Sequence, residues 1–506
     1  MFPGTHSVTT PDKAAVVMAA TGATVTYAEL EERSARFARW MFDAGLRRGD
    51  HIAVLCDNDP TIFELYWGAM RSGIYFTAVN HHGTVDDLAY VVTDSDAAVL
   101  VVSAALTGLA TDLAGRVPAG CLRLAFGGPV PGYDSYEDAV GAVSAEPLPD
   151  QPCGADMVYS SGTTGRPKGI KSPLPDRQVH QPPGLPVTAI VEKFYGFGVD
   201  TVYLSPAPIY HAAPLRYCTA TQSLGGTVVL MDRFDARDAL AAIERYSVTH
   251  AQWVPTHFIR MLKLPAEERT RYDLSSLRVA VHAAAPCPVE VKEAMLDWWG
   301  NVLYEYYSCS ENNGSTLIDS VEWRRKPGSV GRDGVQGIAH ICSDDGRELG
   351  PGEVGLLYFE RDDWTFEYHN DSEKTAAARH PDHPTWTTVG DVGYLDEDRY
   401  LYLTDRATFM IISGGVNIYP QQIENCLSVH PAIWDVAVIG IPDPEMGQSV
   451  QAVVQVMPGA TPSDDLARDI ISYARDRLAR YLCPRSVRFV DVLPRTETGK
   501  LAKHRL

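Results

Sequence analysis

Between Tyr159 and Gly169 the chain reads Tyr-Ser-Ser-Gly-Thr-Thr-Gly-Arg-Pro-Lys-Gly, which sets small residues, hydroxyls and two cations where phosphate could be held. Gly162 and Gly165 let the backbone approach an anion. Ser160, Ser161, Thr163 and Thr164 bring hydroxyl donors, and Lys168 offsets phosphate charge. A Walker loop is excluded: it needs Gly-Lys-Ser/Thr, and here Lys168 is followed by Gly169, Ile170 and Lys171. Taken alone, a Gly/Ser/Thr loop is more often a flexible turn. Other residues of reactive type lie downstream: His211 in Pro208-Ile209-Tyr210-His211, Glu311 after Tyr307-Ser308-Cys309-Ser310, Asp391 in Gly390-Asp391-Val392-Gly393-Tyr394, Arg406 after Asp405, and Lys500 six residues from the end. Each has a plain reading too. Glu311 can be a helix-start carboxylate, Asp391 a hairpin-shaping residue, His211 a packed or surface histidine, and Lys500 a solvated tail lysine.

Elements able to position such residues recur along the chain. Helix-like Tyr27 to Ala44, strand-like His51 to Cys56, helix-like Thr61 to Ser72 and apolar Ala97 to Ser103 alternate as parallel sheet with covering helices does. The rhythm returns in Thr201 to Ser205, Gly226 to Met231, helix-like Ala236 to Tyr246 and strand-like Leu277 to His282, which predicts two α/β subdomains. Val330 to Tyr402 is richer in turns between short apolar runs and predicts antiparallel strands in a smaller, barrel-like sheet. From Asp405 onward a compact α/β tail is expected, and Pro173 to Pro186 reads as a proline-punctuated loop.

The 506 residues exceed what one hydrophobic core usually supports, and 45% apolar content is ample to fill several. A formal charge of -20 argues against a nucleic-acid or anionic-membrane partner, since both reward a basic face. No apolar run is long enough to span a bilayer and the first residues lack signal-peptide character, so a cytoplasmic location is expected. Nine scattered cysteines without a Cys-x-x-Cys pair read as free thiols, with neither a disulfide framework nor structural zinc.

Five motifs stand in one order: the glycine loop; Tyr307-Ser308-Cys309-Ser310-Glu311; Gly390-Asp391-Val392-Gly393-Tyr394; Asp405-Arg406 with Ser413-Gly414-Gly415-Val416-Asn417-Ile418-Tyr419-Pro420; and Pro494-Arg495-Thr496-Glu497-Thr498-Gly499-Lys500. In this order and spacing, from about residue 25 to the end, the chain resembles the adenylate-forming superfamily, in particular its acyl- and aryl-CoA ligases. The resemblance implies an α/β protein with a large N-terminal domain (1-404) of two α/β subdomains plus a small β-barrel-like one. A small mobile α/β C-terminal domain (405-506) would hinge near 405-408. It implies ATP and Mg²⁺ as cofactors, CoA as co-substrate and a small-molecule acid as partner; a homodimer is compatible with it.

The same resemblance assigns roles. Ser160 to Gly165 and Lys168 would hold the outer phosphates, and Glu311 would bind Mg²⁺, which neutralises phosphate charge in such transfers. Asp391 would accept from the ribose hydroxyls and Arg406 would touch ribose or phosphate. Ala284, Ala285, Pro286, Tyr307 and Ser310 would complete the nucleotide site. Lys500 would bridge carboxylate and phosphate during adenylation, with Lys168 and His211 also catalytic. His211, Trp253, Tyr306, Ser308 and Cys309 would face the acid, although Trp253 by itself reads as core. Gly414 and Gly415 would approach the incoming thiol after the C-terminal domain rotates.

Three departures stand out, the last of them, at Val389, of little expected consequence. Ser308 replaces a common glycine at the floor of the acid pocket, followed by Cys309, so compact aryl or short acyl acids are expected rather than long fatty acids. Thr408 stands where aspartate or lysine is usual at the hinge, and Val389 where threonine is frequent. The expected reaction is acid plus ATP to acyl-AMP and pyrophosphate, then displacement of AMP by CoA. Two alternatives keep the first step. In an ATP-dependent diazotase, nitrite replaces the carboxylate and an aromatic amine replaces CoA; in a free-standing adenylation enzyme, the acyl group is loaded on a carrier protein.

Overall fold

The computed structural model describes residues 2-160, 167-362, 365-406, 409-413, 416-494, 501 and 503-506, with the backbone alone at 405, 406, 417 and 504. The described chain packs as two compact units, the first Met1–Trp253 with Ala266–Val281 and Thr365–Ala376, the second the remainder.

The first unit carries the two α/β sheets expected from the alternation. One has a parallel centre in the order Ala155–Ser160, Tyr75–Val79, His51–Leu55, Ala97–Ser103, Leu122–Phe126, bordered by antiparallel Lys168–Lys171 and Glu367–Tyr368. The other runs His250–Trp253, Val202–Ser205, Thr227–Leu230 and Ala14–Met18, all parallel. That last strand lies ahead of residue 25, upstream of where the motif pattern begins. Helix Tyr27–Asp43 starts at a capping box in which Thr26 and Glu29 satisfy each other's backbone N–H. Helix Thr61–Met70 is apolar almost all round and buried almost throughout, as its composition requires. Trp67 on it donates to the Gln222 side chain at 2.8 Å, and Tyr27 donates to Gly226 O at 2.7 Å, so both helices are fixed to the helix Ala212–Ser223 and the turn that lead into strand Thr227–Leu230 of the second sheet.

In the second unit, Leu303–Ser308, Ser315–Asp319, Gly331–Gln336, Tyr400–Arg406, Asp391–Leu395, Gly355–Glu360 and Ile338–Cys342 follow one another in a wholly antiparallel ladder. Gly331–Gln336 and Ile338–Cys342 are joined through Gly337 yet stand four pairings apart, which gives this part its barrel-like character. The tail has its own sheet, with Ile433–Asp443 and Gly447–Val456 as its long hairpin, and a separate core that includes Ile411, Ile423, Leu427, Val450 and Ile470. Lys263 Nζ donates to Ile433 O at 2.6 Å and Arg260 lies 5.6 Å from the Trp434 ring, fastening helix Pro255–Leu262 to that hairpin. Burial pulls the Lys263 ammonium down to about 8. No helix among the described residues is long and apolar enough to cross a membrane.

Candidate active site

In the first unit the glycine run lies in sequence between two antiparallel strands, since Ser160 pairs with Lys168 and Tyr159 with Gly169. A strand-to-helix Walker arrangement is thereby excluded by structure as well as by spacing. Ser161, Gly162, Thr163, Thr164 and Gly165 lie outside the described residues; Ser160 and Lys168 are half-buried at the hairpin's base. Tyr159 donates to Asp94 at 2.7 Å, and a Cβ on Gly169 would stand 3.0 Å from the Tyr159 ring. A side chain at 169 would oblige Tyr159 or His369 to give way. The strand leading into the run is parallel to Tyr75–Val79 on one side and antiparallel to Lys168–Lys171 on the other, and the carboxyl ends of such parallel strands are where open α/β sheets place ligands.

His211 is the N-cap of helix Ala212–Ser223. The loop ahead of it is held by Asn58, whose amide donates to Ala207 O at 3.2 Å and Met231 O at 2.7 Å while its carbonyl accepts from Ile209 N at 2.8 Å. Arg216, one turn into the helix, pairs with Asp156 on the strand that feeds the glycine run, at 2.7 Å. His211 and the hairpin are thus tied to one frame. The His211 ring lies 4.4 Å from Tyr210, whose ring stands edge-on to His81 at 5.3 Å, and His82 follows 4.2 Å from His81. Trp253 is fully buried, as its plain reading as core implied.

The second unit brings together residues that are far apart in sequence. Tyr307 donates to Asp391 at 2.6 Å, and Asp391 is paired in register with Arg406 in the neighbouring strand. The Tyr307 ring is stacked on Phe359 at 6.1 Å, and Phe359 in turn occupies the space over Gly314, where a Cβ would fall 2.0 Å from its ring. Glycine at 314 is what lets Phe359 set the tilt of Tyr307. Ser308 donates to Gly314 O at 3.0 Å, Cys309 to the Asn313 side chain at 3.0 Å, and Asn313 to Thr387 O at 3.1 Å. Burial and the neighbouring Glu311 carboxylate push the Cys309 thiol well up, so it stays protonated. Glu311 is buried, while Tyr306 and Ser310 are half-buried. Ala284 and Ala285 are exposed on the loop after strand Val279–His282, with Pro286 half-buried, and Ala284 has φ +74°, a left-handed angle rare for alanine.

Beneath these residues lies a sealed ionic group that sequence reading missed. Lys292 Nζ is 2.5 Å from Glu305 Oε2, the same oxygen is 3.7 Å from His282 Nε2, and the ammonium sits over the Trp323 ring at 4.7 Å. Burial and the adjacent ammonium hold His282 neutral. His282 begins the 283-287 loop and Glu305 precedes Tyr306 and Tyr307, so the group braces both backbones. Asn58, Phe359, His81 and His82 were likewise missed. The Asn80-His81-His82-Gly83 run after an apolar strand was the available signal for the histidines. Lys500, Gly414, Gly415 and the 407-408 part of the expected hinge lie outside the described residues, as does the side chain of Arg406.

Comparison with known proteins places these features in a family. Residues 5–368 match the family described as AMP-binding enzyme, and residues 422–500 match the AMP-binding enzyme C-terminal domain. The chain is similar to a feruloyl-CoA synthase of Amycolatopsis sp, 33% identical over 95% of this chain and 93% of the relative. It is also similar to a long-chain-fatty-acid–CoA ligase of Mycobacterium tuberculosis, 30% identical over 98% and 95%. Among solved structures it resembles an amide bond synthetase from Marinactinospora thermotolerans, with TM-score 0.81 and 28% identity over 98% of this chain and 97% of that one. ATP-bound MatB from Rhodopseudomonas palustris gives TM-score 0.81 and 26% identity over 100% and 98%.

Proposed function

We propose a compact aryl or short acyl acid as substrate for this chain, which belongs to the AMP-binding enzyme family and is an ATP-dependent, adenylate-forming acid–CoA ligase. In such a ligase a weak carboxylate nucleophile attacks the α-phosphate of ATP, and CoA then displaces AMP from the acyl adenylate. The first step requires that anion repulsion be suppressed and that departing pyrophosphate be stabilised. The observation that carries the site assignment is the meeting of Tyr307, Asp391 and Arg406 in one ladder, three residues of the expected nucleotide set. Tyr307 offers a ring for the base, Asp391 a buried carboxylate for the ribose hydroxyls, and Arg406 a cation on the adjacent strand.

Lys168 and the glycine run would take the outer phosphates. Glu311 fits Mg²⁺, a hard cation that takes one or two carboxylates and fills its remaining positions with phosphate oxygens and water. The side chains of Ser308, Cys309 and Asn313, all hydrogen-bonded in place, support a short acid pocket. His211 would face the acid, and Lys500 would bridge carboxylate and phosphate from a tail that carries its own core.

The test is pyrophosphate release from ATP and Mg²⁺ across aryl, short acyl and long fatty acids, with and without CoA, beside wells of nitrite with aromatic amines. Turnover with a compact acid that yields a CoA thioester is expected. A preference for long fatty acids would overturn the compact pocket, and AMP formation only with nitrite, accompanied by a diazo chromophore, would replace the acid reading with the diazotase. A Lys500→Ala variant is expected to lose adenylation by 10²-fold or more, on the order expected when a charge-stabilising donor is removed; a wild-type rate would remove that lysine from the mechanism.

A further inference from the structure

We propose that Nε2 of His81 takes the proton from the incoming nucleophile in the second half-reaction. The inference rests on the acyl-adenylate reading above and names a group for a step which that reading leaves without a base. A thiol is only a few per cent thiolate near neutral pH, so a nearby proton acceptor raises the reactive fraction.

Strand Tyr75–Val79 runs parallel beside Ala155–Ser160, with Tyr75 opposite Ala155 and Thr77 donating to Met157 O at 3.1 Å. His81, two residues past the end of its strand, therefore stands at the same carboxyl edge from which the glycine run departs. Tyr210 connects it to His211, the residue expected at the acid: the Tyr210 ring is 5.3 Å from His81 and 4.4 Å from His211.

Nδ1 of His81 is 3.1 Å from the carbonyl oxygen of Cys56. A carbonyl only accepts, so Nδ1 carries the hydrogen and Nε2 is left with its lone pair, the tautomer of a general base. The groups facing the ring are His82 on its own segment, Cys56 and Asp57 from the loop after strand His51–Leu55, and Tyr210 ahead of helix Ala212–Ser223. Burial and His82 favour the neutral ring, outweighing the Cys56 carbonyl and Asp57, which favour the charged one. The ring is half-buried and enters no ion pair among the described residues.

In the step, the S–H proton of CoA moves to Nε2 and sulfur bonds to the acyl carbon. The bond from that carbon to the phosphate oxygen breaks, and AMP leaves with the electron pair. The imidazolium returns its proton to water after the thioester departs.

Two variants separate this role from a structural one. His81→Asn keeps a donor for Cys56 O and lacks Nε2, whereas His81→Gln loses the short-range donor as well. Acid-dependent pyrophosphate exchange reads the first half-reaction, and single-turnover transfer from pre-formed acyl-AMP to CoA reads the second. Both variants are expected to exchange pyrophosphate within about twofold of wild type. Both are expected to transfer about 10²-fold more slowly, the usual lower bound for a general base, and to lose the acidic limb of the transfer pH profile. Transfer by His81→Asn at the wild-type rate would overturn the proposal, as would an equal loss in both half-reactions. If the wild-type protein forms acyl-AMP with no acid, the underlying reading fails; if it forms thioester and His81→Asn does so equally well, only the role of His81 fails.

Discussion

The group around His81 and the group around Lys292 are both built from ionisable side chains, yet they are finished differently. His81 has one nitrogen fixed by a backbone carbonyl and stands half-buried at a strand's carboxyl edge. Lys292, Glu305 and His282 are sealed from solvent, with the ammonium spent on one carboxylate and neither His282 nitrogen in a hydrogen bond among the described residues. An ionisable group left partly open can exchange a proton. One that is closed in holds backbone in place at the expense of desolvation, and breaking it by halves is costly.

Lys292→Ala would leave Glu305 buried and unpaired, and a loss of about 3–5 kcal/mol in denaturant unfolding is expected. Replacing the pair together, as Lys292→Met with Glu305→Leu, is expected to recover most of that loss. A double variant as unstable as the single would show that the pair does not act as one sealed unit.

Glu64 is a third case, a buried carboxylate that accepts from Tyr136 at 2.8 Å. Burial raises its pKa to about 7 from an ordinary 4.5, against the smaller lowering effects of Tyr136 and Arg33. The folded chain thus keeps a proton that the unfolded chain releases, and stability falls as pH rises from about 4.5 to about 7. The loss is up to roughly 3 kcal/mol. Glu64→Gln should flatten this part of the unfolding free energy against pH, and an unchanged slope would locate the titration elsewhere.

At the nucleotide residues smaller effects are expected. Tyr307→Phe removes a hydrogen bond to a buried carboxylate and should raise the KM for ATP by about tenfold, corresponding to roughly 1.5 kcal/mol, with kcat little changed. An unaltered KM would separate the Tyr307–Asp391 contact from nucleotide binding. The mildest test is Ala284→Gly, which relieves a left-handed alanine and should stabilise the fold by up to about 1 kcal/mol in thermal unfolding.

Much of this is legible in the sequence alone, and for a physical reason. Helix Tyr27–Asp43 and the parallel strands announce themselves through local periodicity, and the motif residues through local spacing. What stayed hidden depends on tertiary pairing. The hydrogen bond between Tyr307 and Asp391 spans 84 residues and that between Asn58 and Ala207 spans 149, so no window of sequence contains either. The two strands of the glycine hairpin were passed over because each is short and the turn between them dominates the composition. Phe359 reads as one more apolar strand residue until its ring is seen resting on Gly314.

Asn58 carries a lesson for transplantation. It follows a strand of one sheet and binds main-chain atoms at the carboxyl ends of two strands of the other. The loop that presents His211 is therefore not a self-contained cassette: moved into a relative without this asparagine, it would arrive without the clamp that gives it its shape. An engineer wishing to borrow the acid-facing corner of this protein would have to carry two distant stretches of chain together.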